Sequence, residues 1–143
     1  MNVATVLKSK GRTVTTARAE STLKEVAELL ASKKIGVVVI SGEAGRVIGI
    51  LSERDVVRLI ADKGPAALTL SVGDVMTRNV ITCEEKSTLD ELMETMTAGR
   101  FRHIPVVERG ELVGLISIGD VVKYHLADME LEVSAMRSYL TTG

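Results

Sequence analysis

The sequence predicts an α/β fold of the mixed (α+β) kind, made of two copies of a strand–helix–strand–strand–helix unit. Three observations carry this prediction. First, Ser21-Thr22-Leu23 recurs as Ser87-Thr88-Leu89, and in the same frame Val14 meets Val80, Thr16 meets Thr82, Glu25 meets Glu91, Glu28 meets Glu94 and Lys34 meets Arg100. Second, after a single-residue deletion the match resumes, pairing Gly45, Gly49, Ser52 and Asp55 with Gly110, Gly114, Ser117 and Asp120. Third, both copies alternate helix-period apolar stripes with β-branched runs in one order. The copies divide the chain into residues 1–70 and 71–143.

Each element follows from local chemistry. Residues 1–8 read as a short lead-in helix whose Val3, Val6 and Leu7 lie over Val72, Val75 and Met76 of residues 71–77. A strand is predicted at residues 13–16, and at 79–82 in the second copy. The next helix opens with Thr22-x-x-Glu25, matched by Thr88-x-x-Glu91, the spacing at which side chains satisfy free backbone donors. Behind it, Leu23, Val26, Ala27 and Leu30 form one apolar face, repeated by Leu89, Leu92, Met93 and Met96. The methionines suit core filling.

Residues 35–40 are nearly continuous β-branched residues, as in a strand buried on both faces, and 101–107 is the counterpart. A turn containing Gly42 and Gly45 leads to a strand at 47–51, and a tighter turn at 108–111 leads to one at 112–116. Both copies then run through Ser-x-x-Asp into a second helix, 55–62 and 120 onward. Gly64-Pro65 is expected to mark a linker between the copies. The tail to residue 139 reads as a long helix with a discontinuous stripe of Leu126, Met129, Val133, Met136 and Leu140. One copy alone would bury a marginal core, so the two are expected to pack together with pseudo-twofold symmetry.

Composition narrows the function. The chain of 143 residues is 45% hydrophobic and 26% charged, with net charge −1 and only Phe101, Tyr124 and Tyr139 as aromatics. That balance offers no basic surface and no stacking platform, so no nucleic-acid partner is expected. No apolar run reaches membrane-span length and no signal-peptide core is present, so no membrane partner is expected. The single Cys83 excludes an internal disulfide and suits a small residue at a strand end. A reducing, cytoplasmic setting is the expectation.

The chemistry concentrates at Ser52-Glu53-Arg54-Asp55 and Ser117-Ile118-Gly119-Asp120. Serine at the N-cap with aspartate three residues later is a capping arrangement. A helix N-terminus with a carboxylate could equally receive an anion or the hydroxyls of a ribose. Both readings stay open on the motif alone. Positive charge gathers at Arg100, Arg102 and His103, where a strand begins, and at Arg54 and Arg58. A phosphate would account for Arg102 and His103, with a satisfied strand-end histidine as the competing reading of His103, whereas Lys33 and Lys34 suit a solvated face. Motifs for metal, Walker, Rossmann and nucleophile-elbow chemistry are absent, and His103 and His125 are the only histidines. No enzyme, catalytic cofactor or metal site is expected.

The repeated Gly49-Ile50-Leu51-Ser52-Glu53-Arg54-Asp55 and Gly114-Leu115-Ile116-Ser117-Ile118-Gly119-Asp120 resemble the CBS domain, the family named for cystathionine β-synthase. Arg102-His103-Ile104-Pro105-Val106-Val107 is similar to that family's central strand, and Val72-Gly73-Asp74-Val75-Met76-Thr77 to its inter-repeat helix. The resemblance covers nearly the whole chain apart from the tail and points to a stand-alone pair, or Bateman module. It implies two clefts for regulatory ligands such as AMP, ADP, ATP, NAD or S-adenosylmethionine.

Carried over by position, the resemblance implies that Asp55 and Asp120 hold ribose hydroxyls, with Ser52 and Ser117 assisting at ribose or phosphate. Val14, Thr15, Gly36, Val37, Val80 and Ile81, together with Arg102 and His103, would enclose adenine. Arg54, Arg100, Arg102 and His103 would contact phosphate. The copies differ where Arg54 is matched by Gly119, Gly36 by Arg102 and Val39 by Pro105, so the clefts are expected to differ in affinity or ligand. The function expected is an adenine-nucleotide module sensing energy or redox state, forming a homodimer and signalling to an effector protein not named by the sequence. The competing expectation is an interaction or dimerisation module with vestigial clefts.

Overall fold

The computed structural model describes residues 1–142. Helix α1 (Val3–Lys10) is capped by the Asn2 side chain, which accepts the Thr5 N–H, and stops at Gly11 with φ of 100°. Strand β1 (Thr16–Arg18), helix α2 (Leu23–Lys33), strands β2 (Val37–Ser41) and β3 (Val47–Ser52) and helix α3 (Glu53–Lys63) complete the first copy. The second comprises helices α4 (Val72–Val75) and α5 (Leu89–Gly99), strands β4 (His103–Glu108) and β5 (Glu111–Ser117) and helix α6 (Ile118–Thr142).

The capping boxes are formed at both predicted helix starts, Thr22 with Glu25 and Thr88 with Glu91. Both helices also end alike, in the left-handed residues Lys34 and Arg100 at φ of 53° and 55°. That conformation turns the chain sharply into β2 and β4.

The sheets are less alike than the sequence copies. In the first, β1 runs parallel to β2 and β2 antiparallel to β3. The second contains only β4 and β5, antiparallel. The first strand therefore lies later than residues 13–16, and 79–82 is not a strand at all. Its counterpart is one parallel bridge, Cys83 to Val106, held by Cys83 N–H to the Pro105 carbonyl at 3.0 Å and Val107 N–H to the Cys83 carbonyl at 2.9 Å. A physical reason lies in a single matched pair. Val39 N–H donates to the Thr15 carbonyl at 3.2 Å, whereas Pro105 at the matching place has no N–H to offer Ile81. The ladder ends there, and residues 79–81 are left for another use.

There are two aliphatic cores, and the lead-in helices enter them crosswise. Val3, Val6 and Leu7 of α1 are buried with Leu89, Leu92, Met96, Ile104, Val106, Ile116 and Val121 of the second copy. Val72 of α4 and Met76 just beyond it are buried with Leu23, Val26, Leu30, Val38, Ile40, Leu51 and Val56 of the first. Backbone bonds fix the exchange: Val3 N–H to the Ser87 carbonyl at 2.9 Å, and Val72 N–H to the Ser21 carbonyl at 2.7 Å. Two matched glycines permit it. A Cβ at Gly114 would collide with Leu7, and one at Gly49 with Met76.

The segment opened by Gly64-Pro65 folds as a 3₁₀ turn, Gly64–Thr69, between α3 and α4. It buries Ala67 in the first core, and the Leu70 carbonyl that follows accepts the Leu23 N–H at 2.9 Å. Proline suits the first turn of such a helix because it has no amide hydrogen to leave unpaired.

Candidate functional site

The two Ser-x-x-Asp corners fold identically. Asp55 N–H donates to Ser52 Oγ at 3.1 Å, and Ser52 N–H donates to Asp55 Oδ2 at 2.9 Å. Asp120 N–H and Ser117 Oγ, and Ser117 N–H and Asp120 Oδ2, repeat these distances. The capping reading is thus realised in both copies. In each cap one carboxylate oxygen does the work. The other oxygen of Asp55, Oδ1, meets only the Arg58 guanidinium, at 3.4 Å.

Beside the Asp55 corner is a cavity of about 590 Å³ walled by both copies. Gly36 and Val37 reach it from the start of β2, and Ser52, Arg54 and Asp55 from the β3–α3 corner. Val80 and Ile81 come from the segment that Pro105 excludes from the sheet, and Arg100, Arg102 and His103 from the turn between α5 and β4. Apart from Val80 and Ile81, which lie in a loop, these residues converge because they sit at the ends of buried strands and of helices. Val14, Thr15, Ser117 and Asp120 are not in this lining.

Ile50, Glu53, Arg58, Thr77, Asn79, Gly99, Phe101 and Ile118 also line it, and the sequence reading did not assign them to a site. Two of these carried a usable signal. Arg58 is one helical turn beyond Asp55, and Ile50 is on the same face of its strand as Ser52. The others depend on how the copies meet.

The cavity's charge is predominantly positive: Arg54, Arg58, Arg100 and Arg102 against Glu53 and Asp55. The four arginines are exposed at its rim, and Asp55 and His103 are half-buried. Burial pushes the His103 imidazole below the ordinary histidine pKa; Lys10 and Arg102 push the same way, against the pull of Asp120 and Glu53. A Cβ on Gly36 would stand 3.4 Å from His103 Cε1 and 3.5 Å from Glu53 Oε1, so any larger side chain there would enter this space.

The Asp120 corner has a different neighbour. Lys10 Nζ, at the end of α1, lies 2.5 Å from Asp120 Oδ2 and donates also to the Leu115 carbonyl at 2.8 Å. Burial would raise the Asp120 carboxyl, but the Lys10 ammonium and the Ser117 amide outweigh it and hold it below its ordinary value. Among the described residues, no group of three or more His, Cys, Asp or Glu could hold a metal ion. No helix among them is long and apolar enough to cross a membrane.

Two matched α/β units sharing a cleft that joins a capping carboxylate to several guanidinium groups define a class: a tandem α/β pair built around a charged cleft. The CBS-domain family model matches residues 11–62 and again 72–127. The chain belongs to the CBS-domain family and is a tandem CBS pair.

It is 31% identical to the CBS domain-containing protein CBSX3, mitochondrial, of Arabidopsis thaliana, over 99% of this chain and 72% of that protein. Among solved structures, the CBS-domain containing protein ATU1752 from Agrobacterium tumefaciens superposes with a TM-score of 0.84 at 49% identity, covering 87% of this chain and 99% of that one. The CBS domain protein PAE2072 from Pyrobaculum aerophilum, complexed with AMP, superposes with a TM-score of 0.75 at 28% identity, covering 84% and 89%. The CBS domain pair of protein MJ0100, complexed with 5'-methylthioadenosine and S-adenosyl-L-methionine, superposes at 0.77 with 25% identity, covering 87% and 99%.

Proposed function

We propose that this chain is a regulatory module, not a catalyst, and that it binds a phosphate-bearing adenine nucleotide in the Asp55 cleft. The observation that carries the reading is the pairing, in one cavity, of a capped aspartate whose second oxygen is met by the exposed Arg58 with three further rim arginines. Asp55 Oδ1 accepts the ribose hydroxyls, with Ser52 alongside. Backbone and apolar surface at Gly36, Val37, Val80 and Ile81 enclose the base. Arg54, Arg100, Arg102 and His103 take the phosphates, for which a planar guanidinium fork is well suited. The positive rim favours AMP, ADP, ATP or NAD over the cationic sulfonium of S-adenosylmethionine. Related pairs solved with AMP and with S-adenosylmethionine support an adenosine ligand in general.

The second cleft, with Val14, Thr15, Ser117 and Asp120, is the weaker site in this reading, because the Lys10 ammonium stands against the capping oxygen of Asp120 and neutralises that carboxylate. Ligand occupancy biases the arrangement of a homodimer in the cytoplasm and so signals to an effector protein. A second reading, an interaction module with vestigial clefts, draws on the caps, which by themselves account for both Ser-x-x-Asp motifs.

Thermal-shift measurements against AMP, ADP, ATP, NAD, NADH, S-adenosylmethionine and a GMP control test the choice. Ligand at about 100 times its dissociation constant adds about 2.7 kcal/mol, which raises Tm by several degrees. A shift selective for phosphate-bearing adenine compounds is expected. No shift with any of them, in protein free of carried-over nucleotide, would leave the interaction module as the reading.

A further inference from the structure

Helix α6 extends well beyond the core it serves. Val121 is buried and Tyr124 packs against the second core, but every described residue from Met129 to Thr141 is exposed. A helix of this length that buries nothing is marginal in water. Its apolar side chains are not scattered. Val122, Leu126, Met129, Val133, Met136 and Leu140 alternate in steps of four and three, the a/d spacing of a two-stranded coiled coil. All six are exposed, from 46% at Val133 to 75% at Leu140.

From this stripe we propose that α6 pairs with α6 of a second copy of this chain, parallel and in register. Charge selects both occupant and direction. With Leu126, Val133 and Leu140 at a, the flanking g and e positions include Glu132 and Arg137. In a parallel pair a g residue faces the e residue five places on in the second helix, so Glu132 of each copy meets Arg137 of the other. An antiparallel pair that keeps all six layers would set Glu130 against Glu130 and Glu132 against Glu132. This deepens the homodimer reading above and is independent of any nucleotide.

Sedimentation velocity on the full chain at micromolar concentration tests it with two charge insertions. Val133→Lys falls on the stripe, and Leu131→Lys falls off it at a residue that is more exposed, 66% against 46%. The wild type and Leu131→Lys are expected to be dimers, with Val133→Lys binding itself roughly 100-fold more weakly, or about 2.8 kcal/mol at 1.4 kcal/mol per tenfold. Neither side chain is in a core, and far-UV circular dichroism checks that both variants fold. Met129→Cys in a Cys83→Ala background should form an intermolecular disulfide on oxidation, since parallel pairing brings the two residues level.

A Val133→Lys dimer as tight as the wild type would overturn the stripe while leaving the homodimer reading standing. A monomeric wild type would overturn both. Equal weakening by both lysines would reduce the stripe to unspecific stickiness, and a dimer without the Met129→Cys cross-link would overturn the parallel order.

Discussion

The Ser52–Asp55 and Ser117–Asp120 corners have the same hydrogen bonds at the same distances, yet they meet different surroundings. Asp55 opens onto a cavity and is approached by Arg58 at 3.4 Å; Asp120 is held by Lys10 at 2.5 Å. The helix cap is therefore the component that both copies share, and it says nothing about which corner receives a ligand. What differs is the group that reaches the carboxylate from outside the copy. Lys10 belongs to α1, the helix that crosses over into the second core.

The comparison breaks first at the carboxylates. Asp55→Asn retains an oxygen for the cap but removes the charge that would hold ribose, and should weaken nucleotide binding by about tenfold to a hundredfold. Asp120→Asn should leave the affinity of the first site nearly unchanged, and calorimetric titration of both variants measures the contrast. If the two lose affinity equally, the clefts are not distinguished in the way described.

Lys10→Met sharpens it from the other side. Freed from its ammonium, Asp120 becomes available, and the titrated stoichiometry should rise from near one nucleotide per chain toward two. The same variant should remove the pH-dependent stability of the bridge. Because the folded Asp120 pKa is depressed, that stability is present above the ordinary carboxylate range and is lost as pH falls through the folded value. Denaturant melts of wild type and variant between neutral and acid pH should therefore converge at the acid end.

Ser52→Ala and Ser117→Ala address the shared component. Each removes one cap acceptor and should cost about 1 kcal/mol in chemical denaturation, alike in both copies. The smallest effect is expected from pH at the ligand. Burial, against the pull of Asp120, keeps the His103 imidazole below its ordinary pKa, and a bound phosphate would favour its protonated form. Affinity should accordingly rise slightly as pH falls from 8 toward 6, and a His103→Asn variant should flatten that slope.

Much of this was readable from residues that act locally. Thr22-x-x-Glu25 and Thr88-x-x-Glu91 announce their helices because a capping box involves neighbours in sequence. The Ser-x-x-Asp corners were legible for the same reason, although their spacing could not separate cap from ligand site. The misplaced first strand is a different case: residues 13–16 have strand composition, but pairing is decided by where β2 runs, alongside Thr16–Arg18. Val3, Val6 and Leu7 declare an apolar face without declaring whose core it enters. Lys10 is one of many surface lysines until the crossing of α1 brings it to Asp120. Pro105 could have been read as ending a ladder, since proline cannot donate, but only the matched Val39 bond reveals which carbonyl it leaves unserved.

The crossed helices also impose an order of events on synthesis. Helix α1 leaves the ribosome before any of the residues that will bury it, and its core is incomplete until Val121 has been made. Through that interval Val3, Val6 and Leu7 have no native place to go. The first copy can gather its strands and then acquires α4 at once, as the next segment to emerge. The second must reach back across the whole first copy to recover α1, a contact of long sequence separation and correspondingly slow to close. Helix α1 is thus made before either core and locked in last, and Lys10 reaches Asp120 only at that final step.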